Sequence, residues 1–101
     1  MTKNKSKTMS RPLDGVRVIE TSSFLTGPYA AMMLSDLGAE VIKVEPLTGD
    51  GFRTFGHNRE GYGASWTNAN RGKKSIVIDL KTPSGVNRLK ELLKSADVLV
   101  E

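Results

Sequence analysis

The sequence predicts an α/β fold, one Rossmann-like half of a doubly wound parallel sheet. Two observations predict it. Short runs rich in β-branched residues alternate with longer segments whose apolar residues recur at helical spacing. These segments follow one another as strand, helix, strand, long loop, strand, helix, strand. Strands that are joined by helices run parallel in one sheet, and their crossovers are right-handed.

The first half of the chain carries the first strand, helix and second strand. Residues 16–20 are predicted as a strand because they are β-branched and follow a turn signal. Residues 21–27 are predicted as a loop, and Pro28 suits the first turn of the helix that follows. Gly38 is predicted to end that helix in a left-handed conformation. Residues 40–45 form the second predicted strand.

The second half begins with a long segment, 47–70, that is rich in Gly, Asp, Asn and aromatic residues and has little periodicity. It is predicted as a loop, and a loop of this length in a compact domain is usually functional. Residues 74–80 are the third predicted strand. Thr82 is the predicted N-cap of the second helix, with Pro83 in its first position. The apolar face of that helix is Val86, Leu89, Leu92 and Leu93.

Residues 98–100 are the fourth predicted strand, and we expect the sheet order third, second, first, fourth. The apolar runs at Ile42 and at 76–78 indicate strands covered on both faces. The ligand crevice is expected beyond the carboxyl ends of the strands, at the reversal between the first and fourth. Because the chain ends at Glu101, directly after a strand that reads as buried, we expect residues 12–101 to be the N-terminal part of a larger enzyme domain.

Composition narrows the class of protein. With 38% hydrophobic and 26% charged residues the chain is predicted to be globular and soluble, and we expect a cytoplasmic protein. Its apolar runs are too short for a membrane-spanning helix. The absence of cysteine excludes disulfides and thiolate metal sites, and the single His57 cannot form a metal cluster alone. No metal site is therefore predicted.

The net charge of +4 comes from the first eleven residues, which contain no acid. This segment, 1–11, lacks the apolar region of a signal peptide and is predicted to be a flexible basic arm. A nucleic-acid partner is not expected, because the basic residues are not interleaved with aromatics on a folded face. The basic residues of the arm are Lys3, Lys5, Lys7 and Arg11.

Residues 16–45 have the outline of a dinucleotide-binding site. A strand, a turn containing a glycine, a helix, and Glu45 at the end of the second strand match its outline. The fingerprint itself is missing, because Gly27 is the only glycine in segment 21–28. Close backbone approach to a pyrophosphate needs the absent glycines. NAD and FAD binding are therefore disfavoured, and Gly27-Pro28 is equally explained as a tight turn.

Seven ordered stretches carry a family resemblance: LDGVRVIE at 13–20, GPYA at 27–30, LGAEVIKVEP at 37–46, Gly49-Asp50 with Arg53, NRGKKSI at 70–76, DLK at 79–81 and ADVLVE at 96–101. In their order and spacing they resemble the N-terminal region of the class III CoA-transferase family. That family includes formyl-CoA and carnitine CoA-transferases and the related α-methylacyl-CoA racemases. The resemblance covers nearly all of residues 13–101.

The resemblance implies where coenzyme A would bind. Its phosphates call for cations and helix N-termini, and its pantetheine arm calls for an apolar slot. The implied residues are Ser23, Phe24, Leu25 and Thr26 along the pantetheine and thioester, Ile78 and Lys81 at the adenosine and its phosphate, and Arg53 and Arg71 as further cations. Lys73 and Lys74 are additional cation candidates or, alternatively, a solvated basic turn.

Two departures from the family pattern concern substrates. Some members have an arginine for the phosphates where this chain has Pro46. Ser23 and Leu25 replace a histidine and a glutamine of formyl-CoA transferases, which argues against formyl-CoA and oxalate. The resemblance also implies an aspartate nucleophile, located downstream of Glu101. No catalytic residue is therefore predicted within the chain, and residues 1–101 alone are expected to be inactive.

The implied activity is transfer of CoA between an acyl-CoA thioester and a carboxylic acid acceptor through an enzyme aspartyl intermediate. Coenzyme A is a substrate, no permanently bound cofactor is expected, and the family forms interlocked homodimers. Two alternatives stay open. One is the racemase branch, which abstracts a proton next to the thioester, and the other is a non-catalytic module that binds a nucleotide or CoA.

Overall fold

A computed structural model describes residues 10–59 and 62–101, apart from the side chains of Asn58 and Tyr62. Within these residues ten elements follow one another. They are β1 (Arg17–Glu20), α1 (Thr26–Asp36), β2 (Glu40–Glu45), a 3₁₀ helix (Gly51–Thr54), β3 (Asn58–Arg59), β4 (Tyr62–Gly63), α2 (Ala64–Ala69), β5 (Lys74–Val77), α3 (Pro83–Leu93) and β6 (Val98–Val100).

Four of the strands form one parallel sheet in the order β5-β2-β1-β6. This confirms the predicted fold class and the predicted order of third, second, first and fourth strand. The two remaining strands, β3 and β4, pair with each other as a short antiparallel ribbon. The helices of the crossovers cover both faces of the sheet, as expected for a parallel sheet.

The helix ends follow local sequence signals. Gly38 follows Leu37, the C-cap of α1, and has φ +112°, a conformation that a residue with a Cβ rarely adopts, which confirms its predicted role. Thr82 caps α3 by accepting a hydrogen bond from the Gly85 amide, and Pro83 is the first residue of that helix. Helix α1 starts two residues before Pro28, so that proline still lies within the first turn.

The core consists of two apolar clusters, one on each face of the sheet. Val18, Ala31, Ala39 and Val41 pack between the sheet and α1. Ile19, Ile42, Val44 and Ile78 pack on the α3 side, where Leu89, Leu92 and Leu93 cover them. The alternation of faces along β1 and β2 places neighbouring residues in different clusters. Val86, predicted on the same apolar face of α3, is 36% exposed.

Two predictions about strand burial are wrong for this chain. Val77 is 48% exposed, and in β6 Val98 and Leu99 are 40% and 46% exposed. The physical reason is position, because β5 and β6 are the two edges of the sheet and present one side to solvent in the described residues. Strand β5 also ends at Val77 and not at residue 80, since Asp79 begins a turn by accepting hydrogen bonds from Lys81 and Thr82.

The prediction of an unstructured loop over 47–70 is also wrong. This segment contains the 3₁₀ helix, the β3–β4 ribbon and α2. Each of them has six residues or fewer, too short to produce a periodic pattern. Asp50 caps the 3₁₀ helix by accepting the Phe52 N–H at 3.0 Å. The rings of Phe24, Phe52 and Phe55 pack against one another with centroids 5.4–5.9 Å apart, Phe52 and Phe55 stacked and Phe24 inclined to both.

Glu45, the last residue of β2, ties this segment to the sheet. Its carboxylate, 2% exposed, accepts two hydrogen bonds from Arg53, at 2.8 and 2.7 Å, and one from the Asp50 amide at 2.8 Å. The Ser75 hydroxyl on β5 donates a further bond. Burial alone would raise the pKa of Glu45, but the hydrogen bonds from Arg53, Ser75 and the Asp50 amide together lower it to about 2.

Most of the predicted basic arm, residues 1–9, lies outside the described residues, so the arm stays a prediction. Arg11 is described, and its amide donates to the Asp14 carboxylate at 2.9 Å. Among the described residues, no helix has the length and apolar character needed to cross a membrane.

We predict that Glu45→Gln lowers the free energy of unfolding at neutral pH by about 2 kcal/mol, and that the difference disappears in acid. The folded pKa of about 2 lies below the ordinary value of 4.5, so the stabilisation is complete above pH 4.5 and is lost as the pH falls toward 2. Urea unfolding of parent and variant at neutral pH and at about pH 3 measures this, and roughly half of the difference should be lost at the lower pH.

Glu91→Gln is the matched control for this experiment. Glu91 also carries an ion pair, to Lys94, but its side chain is 72% exposed, so its substitution should change stability little at either pH. An equal loss for Glu45→Gln at both pH values would contradict the assignment to the ionised carboxylate.

We predict that Gly85→Ala destabilises the protein by about 1–3 kcal/mol, the range for overpacking. A Cβ at this position would lie 1.8 Å from the carbonyl oxygen of Asp79, so the turn before α3 has to move. Asn87→Ala, at an exposed position of the same helix, is the control and should be nearly neutral. Urea unfolding compares the two, and equal stabilities would show that the turn has room for a methyl group.

Candidate functional site

The carboxyl ends of β5, β2 and β1 lie side by side, because these strands are neighbours in the sheet. A pocket of about 150 Å³ opens at this edge. Its lining consists of residues that follow or end the three strands: Thr21, Val44, Glu45, Pro46, Ile78, Asp79, Leu80 and Lys81. The structure therefore brings segment 78–81 to the same edge of the sheet as the loop that begins at Thr21. The pocket lies at the carboxyl edge as predicted, but beside β1, β2 and β5 and not at the predicted reversal between the first and fourth strands, β1 and β6.

That loop, residues 21–25, connects the pocket with a second concave surface. Ser23 and Phe24 are exposed, and Leu25 and Thr26 border an apolar groove of about 390 Å³. Tyr29, Ala30 and Met33 of α1 complete the lining of the groove. Four of the predicted site residues thus extend from the sheet edge toward an apolar surface on the outer side of α1.

Ile78 and Lys81 differ in environment. Ile78 is 2% exposed and belongs to the apolar core on the α3 side, so only part of its surface reaches the pocket. Lys81 is exposed, and its amide donates to the Asp79 carboxylate at 3.0 Å. Within the described ranges 10–59 and 62–101 its ammonium group has no carboxylate partner. Lys81 is thus a cation that is available for an anionic ligand at the mouth of the pocket.

The two predicted arginines are both engaged in ion pairs. Arg53 forms the bidentate pair with Glu45 and lies 4.2 Å from the ring centroid of Trp66. Arg71 pairs with Asp36 at 2.8 Å. Asp36 ends α1 and Arg71 precedes β5, so this pair lies at the amino edge of the sheet. The structure places Arg53 near the pocket and does not bring Arg71 together with the other predicted residues.

The neighbouring residues Lys73 and Lys74 have different environments. The interpretation of Lys73 as part of a solvated turn is wrong, because its side chain is 2% exposed and its ammonium lies 2.7 Å from the Glu20 carboxylate. It also donates to the Asn70 side chain at 2.6 Å and to the Pro28 carbonyl at 2.9 Å. Lys74 is 69% exposed and pairs with Glu40. Burial lowers the pKa of Lys73, and the contact with Glu20 opposes that effect.

A buried network of four charged side chains was not predicted from the sequence. It consists of Glu20, Lys43, Asp50 and Lys73, whose side chains are 0–2% exposed. Lys43 contacts Glu20 at 3.0 Å and Asp50 at 3.1 Å. The signal was present in the strands, since Glu20, Lys43 and Glu45 occupy inward positions on the face that carries Val18 and Val41. Charged residues at such positions need buried partners.

Other surfaces hold fewer of the predicted residues. A larger cleft, of about 530 Å³, lies between β5 and α3 and shares only Ile78 with the predicted set. In the part of the chain that the structure describes, no cluster of three or more His, Cys, Asp or Glu side chains could bind a metal ion. The carboxyl edge of the sheet is therefore the candidate site.

Comparison with known proteins finds CoA-transferases among the relatives of this chain. Residues 13–101 match the family model described as CoA-transferase family III. The chain is 48% identical over 98 residues to the succinate–glutarate CoA-transferase of Agrobacterium fabrum, covering 89% of this chain and 24% of the relative. It is 47% identical over 93 residues to the human succinyl-CoA:glutarate CoA-transferase, covering 90% of this chain and 21% of that protein.

A solved structure confirms the fold. The crystal structure of a CAIB/BAIF family protein from Brucella suis superimposes with a TM-score of 0.82 at 42% identity, over 90% of this chain and 25% of that one. The present chain thus spans about a quarter of the length of the proteins it matches. From the match over residues 13–101 and the shared sheet, the chain belongs to CoA-transferase family III.

Proposed function

We propose that this chain supplies part of the coenzyme A site of an enzyme that moves CoA between an acyl-CoA thioester and a carboxylic acid. The observation that supports this proposal most directly is the position of Lys81. Its exposed ammonium, without a carboxylate partner in the described residues, lies at the mouth of the pocket at the carboxyl edge of the sheet. Anionic ligands of parallel α/β sheets bind at this edge. Family membership supports CoA as the ligand.

The two ends of CoA differ in chemistry, and so do the two surfaces. We assign the adenosine and its phosphate to the pocket, where Lys81 provides a positive charge and Ile78 an apolar contact. We assign the pantetheine arm and thioester to the loop Ser23–Thr26 and the apolar groove beyond it, which Leu25 and Thr26 border. Arg53 is bound to Glu45, so its part is to hold the segment beside the pocket.

The chemistry proposed for the complete enzyme is covalent catalysis by an aspartate that this chain does not contain. The carboxylate attacks the thioester carbonyl and expels CoA as a thiolate, which leaves a mixed anhydride of the aspartate and the acyl group. The thiolate then attacks the aspartyl carbonyl, which releases the donor acid and leaves CoA on the enzyme. The acceptor carboxylate next attacks the carbonyl of this enzyme thioester and releases the CoA thiolate, which gives a second mixed anhydride. The thiolate then attacks the acceptor's carbonyl, which forms the product thioester and frees the aspartate. The residues described here bind and orient CoA.

Relatives indicate which acids to test first. Three proteins that match at 47–48% identity are named for succinate or succinyl-CoA together with glutarate or citramalate. We therefore propose a small dicarboxylic acid as donor or acceptor. The racemase branch and a non-catalytic binding module are disfavoured, because the relatives are named as transferases. An interlocked homodimer remains a proposal for the complete protein.

We predict that Lys81→Ala in the complete enzyme weakens CoA binding by about 1.5–3 kcal/mol, the range for hydrogen bonds to charged groups. The loss should shrink at high salt, because screening weakens an exposed charge pair. Calorimetric dissociation constants for CoA and for dephospho-CoA measure the effect. A loss confined to CoA places the ammonium at the 3′-phosphate, and a loss for both ligands places it at the pyrophosphate.

Lys74→Ala is the matched control. Lys74 is also an exposed lysine, but it pairs with Glu40 at the amino end of β2, away from the pocket. We expect it to leave both dissociation constants unchanged. If Lys81→Ala binds CoA as tightly as the parent enzyme, Lys81 is only a solvated charge and the assignment of the nucleotide end fails.

A further inference from the structure

Phe24, in the middle of the loop after β1, has an unusual backbone conformation. Its φ is +64°, and within residues 10–59 and 62–101 it is the only residue other than glycine with a positive φ. The left-handed region is unfavourable for a side chain with a Cβ, and bulky residues rarely occupy it. Such a conformation persists only where surrounding contacts hold it, and it is enriched at ligand sites.

The contact that holds the Phe24 backbone comes from Asp50. Both oxygens of this carboxylate lie 3.3 Å from the Phe24 amide nitrogen, which donates to them. Asp50 belongs to a distant part of the chain, the cap of the 3₁₀ helix. The ring of Phe24 also packs on Phe52 and Phe55 of that segment, with centroids 5.7 and 5.9 Å away.

Lys43 connects this contact with the other side of the loop. Its ammonium lies 3.1 Å from the Asp50 carboxylate and donates at 3.0 Å to the carbonyl oxygen of Ser22. One buried ammonium group therefore fixes both the residue before Ser23 and the carboxylate that holds Phe24. Ser22 is held a second time, because its hydroxyl donates to Glu20 at 2.7 Å.

We propose that Lys43 and Asp50 are positioning residues whose buried ion pair sets the shape of the loop that receives the pantetheine arm of CoA. This inference rests on the proposed function, which assigns Ser23–Thr26 to that arm. Neither residue contacts the ligand. They act through Ser22 and Phe24, whose backbone they hold in the conformation that presents the loop at the carboxyl edge of the sheet.

The charge balance of the network makes it possible to distinguish a positioning role of Lys43 and Asp50 from a contribution to stability alone. Glu20 and Asp50 face Lys43 and Lys73, so two negative charges are buried with two positive charges. Loss of one member leaves a buried charge without compensation, which is strongly destabilising. Loss of Lys43 and Asp50 together leaves Glu20 with Lys73, a balanced pair. The double variant therefore recovers stability but does not recover the contacts that hold the loop.

The experiment uses the complete enzyme with Asp50→Ala, which removes the acceptor of the Phe24 amide, with Lys43→Met, and with the double variant. Binding of two probes is measured by calorimetry: CoA, and adenosine 3′,5′-bisphosphate, which keeps the nucleotide end but lacks pantetheine. We expect the double variant to be more stable in urea than either single variant. We expect it to bind CoA about tenfold more weakly than the parent, because the loop must be ordered on binding, and the bisphosphate equally well.

Val41→Ala is the control for lost stability alone. Val41 is 1% exposed and belongs to the apolar cluster under α1, so its substitution should destabilise the enzyme without changing the affinity for either probe. The inference is overturned if the double variant binds CoA as tightly as the parent, or if both probes weaken equally. If the parent itself binds neither probe, the proposed function fails, and the inference with it.

Discussion

The ammonium group of Lys43 is the contact on which the carboxyl half of this structure depends. It lies between β1 and the segment after β2, and it pairs with a carboxylate from each. Removing a charge from water costs free energy, and the attraction within a buried pair offsets that desolvation only when the remaining hydrogen bonds of both groups are satisfied. Here the Ser22 carbonyl supplies the further acceptor, and the ring of Trp66 lies 5.5 Å from the same ammonium.

The α1 side of the sheet is divided along the strand direction. Toward the amino ends it is apolar, with Val18 and Val41 packed beneath α1. Toward the carboxyl ends it carries Glu20, Lys43 and Glu45, and the 47–70 segment covers them. The apolar half supplies stability that is insensitive to geometry, because the hydrophobic effect has no direction. The charged half has strict geometric requirements, and it adjoins the edge where the ligand is expected.

Sequence patterns predicted the sheet because its strands and helices are long enough to repeat. The order of the four strands, the left-handed Gly38 and the Thr82 cap all follow from local signals, and the structure confirms each of them. Edge exposure at Val77 and Leu99 could not be read in this way, since an apolar run looks the same in a central strand and in an edge strand.

The candidate site was only partly predictable, for a different reason. The family resemblance implied the loop after β1 and the turn at Lys81, and parallel topology predicted that both lie at one edge of the sheet, as they do. The internal pairing of Arg53, Arg71 and Lys73 was missed, because a basic residue in a turn reads as solvated until its partner is known. Those partners, Glu45, Asp36 and Glu20, are all more than seven residues away in the chain.

Trp66 is the only tryptophan of this chain, and its ring lies beside two cations, Lys43 at 5.5 Å and Arg53 at 4.2 Å. The two cations belong to different ion-pair systems: Lys43 pairs with Glu20 and Asp50 in the buried network, and Arg53 pairs with Glu45. Indole emission responds to charge near the ring. The chain therefore contains a built-in fluorophore at the junction of its two ion-pair systems, and its emission spectrum reports the state of both without any added label.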